Sequence, residues 1–279
     1  MEASSRTAKV MRWLRQPSIE RNRALARKIK SLPVIRNIKN LPTLPFYFGK
    51  PSISSVFLAY QPDSHSLFEA HPEFQVLLKK FVMFNRINNG GDVTRLWSFI
   101  LNIKQILSEN IEGDFAELGV WRGNTASILA YYALKENRKA FLFDTFEGFD
   151  KKDLDGIDSN KQMDFENTSL KMVKEVIGDE LDVCCEYVKG YFPDSICENH
   201  KTKKYAVVSL DCDLYEPMKA GLKFFYPLMS PGGLLLLHDY SSLFWDGSKK
   251  AIDEFCKENN ENVILMPDKS GSAFIRKSR

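Results

Sequence analysis

No apolar run in this 279-residue sequence approaches the ~20 residues that cross a bilayer, so no membrane span is predicted. The amino terminus also lacks the unbroken apolar segment of a secretory signal. Its Arg-rich, acid-poor start leaves an organelle transit peptide as a competing reading. Cysteine is scarce. There are five, at 184, 185, 197, 212 and 256, an odd number with no C-x-x-C pair. They read as small buried hydrophobes in a reducing compartment, which places the protein in the cytoplasm. Internal repeats and low-complexity segments are absent. Net charge is only +3, which points away from a polyanion-binding body.

Hydrophobic residues make up 44% of the chain, enough to close a core without disulfides or structural metal. The charge is unevenly placed. Residues 1–50 hold many Lys and Arg but only two acids, Glu2 and Glu20, so the rest is mildly acidic. Two basic amphipathic stretches fall in this arm, one around Trp13 and one from Arg21 to Leu41, broken by Pro17, Pro33, Pro42 and Pro45. Such an arm suits peripheral contact with an anionic membrane, an anionic partner, assembly into a homo-oligomer, or packing on the body. Residues 1–92 are taken as a basic arm with a helical or lid-like extension, and 93–279 as the main domain.

From Val93 to Glu109 apolar residues recur at helical spacing. Beyond Gly113 short apolar strands alternate with helices. Strands are expected at Phe115–Val120, Ala140–Phe146, Val183–Val188, Tyr205–Leu210, Leu234–Leu237, Val263–Met266 and Ala273–Ile275. Helices are expected at Thr125–Lys135, Ser169–Ile177, Pro217–Leu228 and Lys249–Lys257. The pattern predicts an α/β Rossmann-like fold. Its doubly wound, mostly parallel seven-stranded sheet would end in an antiparallel edge hairpin. Ligands of such sheets bind beyond the carboxyl ends of the strands, so the residues after each strand carry the chemistry.

After the first strand stands Glu117-Leu118-Gly119-Val120-Trp121-Arg122-Gly123-Asn124-Thr125. Gly119 and Gly123 permit a tight turn, Thr125 can open a helix, and the G-x-x-x-G spacing is not that of a dinucleotide loop. A carboxylate at Glu117 suits the cationic aminoacyl end of S-adenosylmethionine (SAM). Asp144 ends the second strand, where an acid can hold ribose hydroxyls. Phe192, after the third, either walls an adenine or packs in the core. Asp211-Cys212-Asp213 and His238-Asp239 follow the fourth and fifth strands. Carboxylates gathered in one crevice need a cation or hydrogen bonds to offset their burial. Asp211 and Asp239 are the favoured ligands of a divalent ion such as Mg²⁺, and Asp213 suits a general base.

These blocks resemble the macrocin O-methyltransferase family. They read GDFAELGVWRGNTA, LFDTFEGF, VKGYFPDSI and AVVSLDCDLYEPMKAGLKFFYPLMSPGGLLLLHDY, in that order. The resemblance implies a class I fold and metal-assisted methylation of a hydroxyl on a sugar-containing small molecule or glycan. It implies SAM held by Glu117, Gly119, Trp121, Arg122, Asn124, Thr125, Asp144, Phe192 and Asp211. It also implies Mg²⁺ on Asp211 and Asp239, with Asp213 as base. The family usually has two adjacent acids after strand five, where this chain has His238-Asp239. His238 is thus open as a metal ligand, a catalytic base, a hydrogen-bond donor or a packing residue. A glycosyltransferase using Asp211-Cys212-Asp213 as a metal-binding DxD, and a non-catalytic SAM-fold binder, are the alternatives. The acidic body and the missing asparagine/proline/aromatic tetrad argue against a nucleic-acid methyltransferase.

Overall fold

A computed structural model describes residues 72–278. The basic amphipathic stretches before Leu41 lie outside the described residues. The order of elements begins with α1 (Pro72–Val82), α2 (Arg86–Asn89), α3 (Val93–Ser108), β1 (Asp114–Leu118), α4 (Asn124–Lys135) and β2 (Ala140–Asp144). It continues through α5 (Leu170–Ile177), α6 (Asp179–Asp182), β3 (Cys185–Lys189), α7 (Glu198–Lys201), β4 (Tyr205–Leu210) and α8 (Tyr215–Leu228). It closes with β5 (Met229–Leu237), α9 (Asp246–Asn259), β6 (Ile264–Leu265) and β7 (Ala273–Arg276).

The strands form one seven-stranded sheet in the order β3-β2-β1-β4-β5-β7-β6. The first five are parallel, and β7 runs antiparallel to both β5 and β6. Alternating side chains divide the core. Phe115, Leu142, Val207 and Leu236 pack with α1, α3 and α4 on one face. Ala116, Phe141, Val208 and Leu235 pack with α8 and α9 on the other. β4 is buried along its whole length, as a central parallel strand covered on both faces should be.

Several edges differ from the sequence pattern for local reasons. β2 stops at Asp144, because Phe146 turns to φ +54°. β3 begins at Cys185, since Asp179–Asp182 form a helical turn just before it. β5 starts five residues early, at Met229, with a register shift opposite Tyr205 and Val207. The sixth strand shrinks to Ile264–Leu265, both exposed at the sheet edge. Residues 72–92 share the compact unit of the sheet, and Phe74, Leu77 and Phe81 of α1 enter its core. α3 opens on Asp92, whose carboxylate accepts the Arg95 N–H at 3.4 Å, and buries Leu96, Phe99, Ile100, Ile103 and Ile106.

α8 and α9 start at Leu214 and Trp245, neither of which caps its helix with a side chain. Asp158, from the loop after β2, caps the first and lies against the second. Its Oδ2 accepts the Tyr215 N–H at 2.7 Å, and a Cβ on Gly247 would fall 2.1 Å from the same oxygen. One carboxylate therefore ties the loop to the start of α8 and places its charge beside the positive end of α9. Asp158→Ala should cost about 1–2 kcal/mol in urea unfolding. A cost under about 0.5 kcal/mol would mean the carboxylate caps neither helix.

Candidate active site

The chain crosses from β1 to β2 and β3 on one side and to β4 and β5 on the other, so strand order reverses between β1 and β4. The ladder there runs one pair beyond the strands. Gly119 N–H donates to Phe143 C=O (3.0 Å), Asp211 N–H to Leu118 C=O (2.9 Å) and His238 N–H to Leu210 C=O (3.0 Å). Gly119, Asp211 and His238 thus stand in a row at the sheet's edge. The crevice above them is a cavity of about 640 Å³. It is lined by Glu117, Gly119, Trp121, Arg122, Asn124, Thr125, Asp144, Phe192, Asp211, Asp213, His238 and Asp239, whereas Gly123 of the first loop does not reach it.

Glu117 faces Ser209 across the β1–β4 pair and accepts its hydroxyl at 3.2 Å. Only 1% exposed, it leaves Oε2 without a hydrogen-bond partner among the described residues. Burial first, then repulsion from Asp211 and Asp144, hold the carboxyl well above its ordinary value of 4.5. Stability from this group is therefore fully present below about pH 4.5 and is lost as pH rises through the folded value. Glu117→Gln, which cannot ionise, should melt higher than wild type at about pH 8 and converge with it near about pH 5. Thermal melts of the ligand-free proteins check this. A gap independent of pH would show that Glu117 is not a buried neutral acid.

Asp144 organises the first loop. Its Oδ2 accepts the Val120 and Trp121 N–H groups at 2.7 and 2.9 Å, and Oδ1 accepts Phe146 N–H at 2.5 Å. Burial still outweighs these bonds and raises its pKa. Asn124 donates its amide to Lys80 and Met83 C=O at the end of α1, and its buried Oδ1 is unpartnered among the described residues. Arg122 lies over the Trp121 ring and donates to the Asn167 and Phe84 carbonyls. Phe192 lines the cavity, and it packs on Phe143, Phe224 and Phe225.

The second half of the crevice is acidic. Nδ1 of His238 lies 2.7 Å from Asp211 Oδ1 and 2.6 Å from Asp239 Oδ2. One ligand atom from each of the three falls within 4.8 Å of the others, which suits a divalent cation. Asp213 and Asp239 both take left-handed backbone, φ +60° and +57°, so the chain turns sharply after each strand. The two carboxyls hydrogen-bond each other. Burial, then the charges of Asp239 and Asp211, push Asp213 well upward. Asp239 is held low despite burial, because His238 and the Asp213 proton stabilise its charge.

Two groups here escaped the sequence reading. One is Arg95 of α3, whose guanidinium hydrogen-bonds His238 Nε2. The other is an aromatic wall at the mouth. Phe165 meets Trp121 at 5.2 Å and Phe149 at 5.0 Å, and Phe149 meets Trp245 at 5.7 Å. These rings sit in loops, where no periodicity announces them.

The profile of the Macrocin-O-methyltransferase (TylF) family matches residues 91–276. The chain belongs to this family. Among its relatives is the demethyldecarbamoylnovobiocin O-methyltransferase of Streptomyces niveus, 29% identical over 197 residues, covering 66% of this chain and 74% of that protein. Another is the 8-demethyl-8-(2,3-dimethoxy-alpha-L-rhamnosyl)-tetracenomycin-C 4'-O-methyltransferase of Streptomyces olivaceus. It is 28% identical over 165 residues, 55% of this chain and 61% of that protein. The solved O-methyltransferase NovP shares the fold, with a TM-score of 0.62 at 20% identity, over 81% of this chain and all of NovP. This macrocin O-methyltransferase family member thus has the class I methyltransferase architecture. No described helix is long and apolar enough to cross a membrane.

Proposed function

We propose that the protein is a SAM-dependent O-methyltransferase that methylates a hydroxyl on the sugar of a small molecule, with a divalent cation beside the acceptor. The observation that carries this is one cavity lined both by Glu117 and Asp144 and by Asp211, Asp213, His238 and Asp239. The relatives are named for O-methylation, and one of the names specifies a rhamnosyl compound.

The residues fit the donor. The unpartnered Oε2 of buried Glu117 suits an ammonium group, and the Asp144-pinned loop offers a turn close to the strand tips. SAM supplies an electrophilic methyl on a sulfonium sulfur when bound. They also fit a hard cation, for which Asp211 and Asp239 supply oxygens and His238 stands between them. Such a cation would ease loss of the acceptor's proton.

The chain's own work is positioning and proton transfer. Asp213, after releasing to solvent the proton it shares with Asp239, takes the proton of the acceptor hydroxyl on its carboxylate, and the freed oxygen pair forms the new O–C bond. The C–S pair returns to sulfur, and the products are the methyl ether and S-adenosylhomocysteine. Gly119 keeps the crevice narrow at its floor, and the Trp121–Phe165–Phe149–Trp245 wall screens it from water. Incubation with methyl-labelled SAM and a panel of glycosylated natural products tests the reading. Label should pass to a sugar oxygen. SAM binding without transfer to any hydroxyl would favour a binding protein instead.

A further inference from the structure

The row of strand tips continues past β2. Gly190 N–H donates to Asp144 C=O at 3.0 Å, so the tip of β3 stands beside that of β2, and Gly190, Tyr191 and Phe192 all line the crevice. A donor whose ammonium lies at Glu117 on β1 and whose ribose lies over β2 carries its base toward β3, away from the acidic cluster after β4 and β5. Phe192, packed on Phe143 and Phe225, gives that end an apolar wall. The ring offers no hydrogen bond, so polar recognition of a base falls to a neighbour.

That neighbour is Asp153, a buried acid with no part in the proton transfer. It closes a short 3₁₀ turn, Lys151–Asp153, in the loop after β2, and the turn opens on Asp150, which accepts Lys152 N–H at 2.9 Å. Asp153 is only 6% exposed, yet it lines the crevice. Its Oδ1 accepts the Tyr191 hydroxyl at 2.7 Å, and among the described residues no other hydrogen-bond donor meets the carboxylate. Lys152 lies over the Tyr191 ring, 4.5 Å from its centre. Burial outweighs the Tyr191 bond and raises the Asp153 pKa, with Asp150 and Glu216 adding to the rise. A carboxylate can accept several hydrogen bonds, and buried ones are normally well supplied. This one receives a single bond, so its open oxygen calls for an N–H or O–H from whatever fills this end of the crevice. On the adenine of a nucleoside the exocyclic 6-amino group is the one such donor.

We propose that Asp153 reads the donor's base, its carboxylate accepting the 6-amino group of adenine while Tyr191 fixes its orientation. This rests on the reading of the crevice as a SAM site, and adds to it a residue that selects the base. A 6-oxo purine in the same place sets a carbonyl oxygen against the carboxylate, acceptor against acceptor, and leaves both without a partner. The Tyr191 bond matters because it holds one carboxylate oxygen still and leaves the other open.

Calorimetric titration of the full chain with S-adenosylhomocysteine and with S-inosylhomocysteine tests this. Wild type should prefer the adenosyl ligand by about 30-fold or more. Asp153→Ala should weaken the adenosyl ligand by about tenfold and move the inosyl one by less than about threefold, so that the preference collapses. Asp153→Asn keeps the size and offers either a carbonyl oxygen or an amide N–H. The inosyl ligand should therefore bind it about fivefold or more tighter than it binds wild type, a gain that misfolding cannot produce. Equal affinity of wild type for both ligands would overturn the proposal while leaving the SAM site intact, and this arm needs no variant. A preference unchanged in both Asp153 variants would overturn it as well. Binding of neither ligand by wild type would sink the SAM reading itself, and the proposal with it.

Discussion

Asp213→Asn is expected to lower kcat by about 10² to 10⁴, the usual worth of a positioned general base, while SAM affinity moves by no more than about threefold. The asymmetry follows from where the residue stands. Asp213 is on the acidic side of the crevice, hydrogen-bonded to Asp239 after β4, whereas the donor-side groups Glu117 and Asp144 belong to β1 and β2. Asn preserves size and most polar contacts but cannot accept and keep a proton at neutral pH. Comparing kcat from S-adenosylhomocysteine release with the SAM dissociation constant from calorimetry separates the two effects. Equal loss of both would reject Asp213 as the base and make it part of the donor site.

Gly119→Ala is expected to do more general damage. Gly119 sits at φ +86°, and a Cβ there would lie 2.0 Å from the Asp211 carbonyl oxygen and 2.6 Å from its carbon. Those atoms are backbone of the neighbouring strand tip and cannot rotate away. The left-handed conformation alone costs an alanine about 1–2 kcal/mol, and the clash adds to it by prying β1 from β4 at the crevice floor. The urea midpoint should fall, and SAM binding should weaken with it. A variant with wild-type midpoint and wild-type SAM affinity would contradict the close approach of the two strand tips.

The parts of this protein visible in the sequence are those set by local pattern. The central strands β1, β2, β4 and β5 show as apolar runs because a sheet covered on both faces buries nearly every position there, as β4 does from Tyr205 to Leu210. The helix over Val93–Ser108 shows because its buried residues recur at helical spacing. Glu117, Asp144, Asp211 and Asp239 were visible because a charge at the end of an apolar strand is out of place unless the site needs it. What was hidden depends on distance along the chain. Arg95 looks like one more cation on an amphipathic helix, and its partner His238 is 143 residues away. Asp158 looks like a loop acid, and only the fold brings it to Tyr215 and Gly247. Strand ends were misplaced where single residues such as Phe146 leave the extended conformation, which no periodicity records.

The proposed function requires the strand-tip crevice to receive a nucleoside sulfonium beside Glu117. Titrating SAM into the wild-type protein and into Glu117→Leu by calorimetry addresses this most directly. Wild type should bind one SAM per chain, and the variant should bind at least about tenfold more weakly while remaining folded, because a buried carboxylate facing a cation has been lost. No binding by wild type, or equal binding by both proteins, would contradict it.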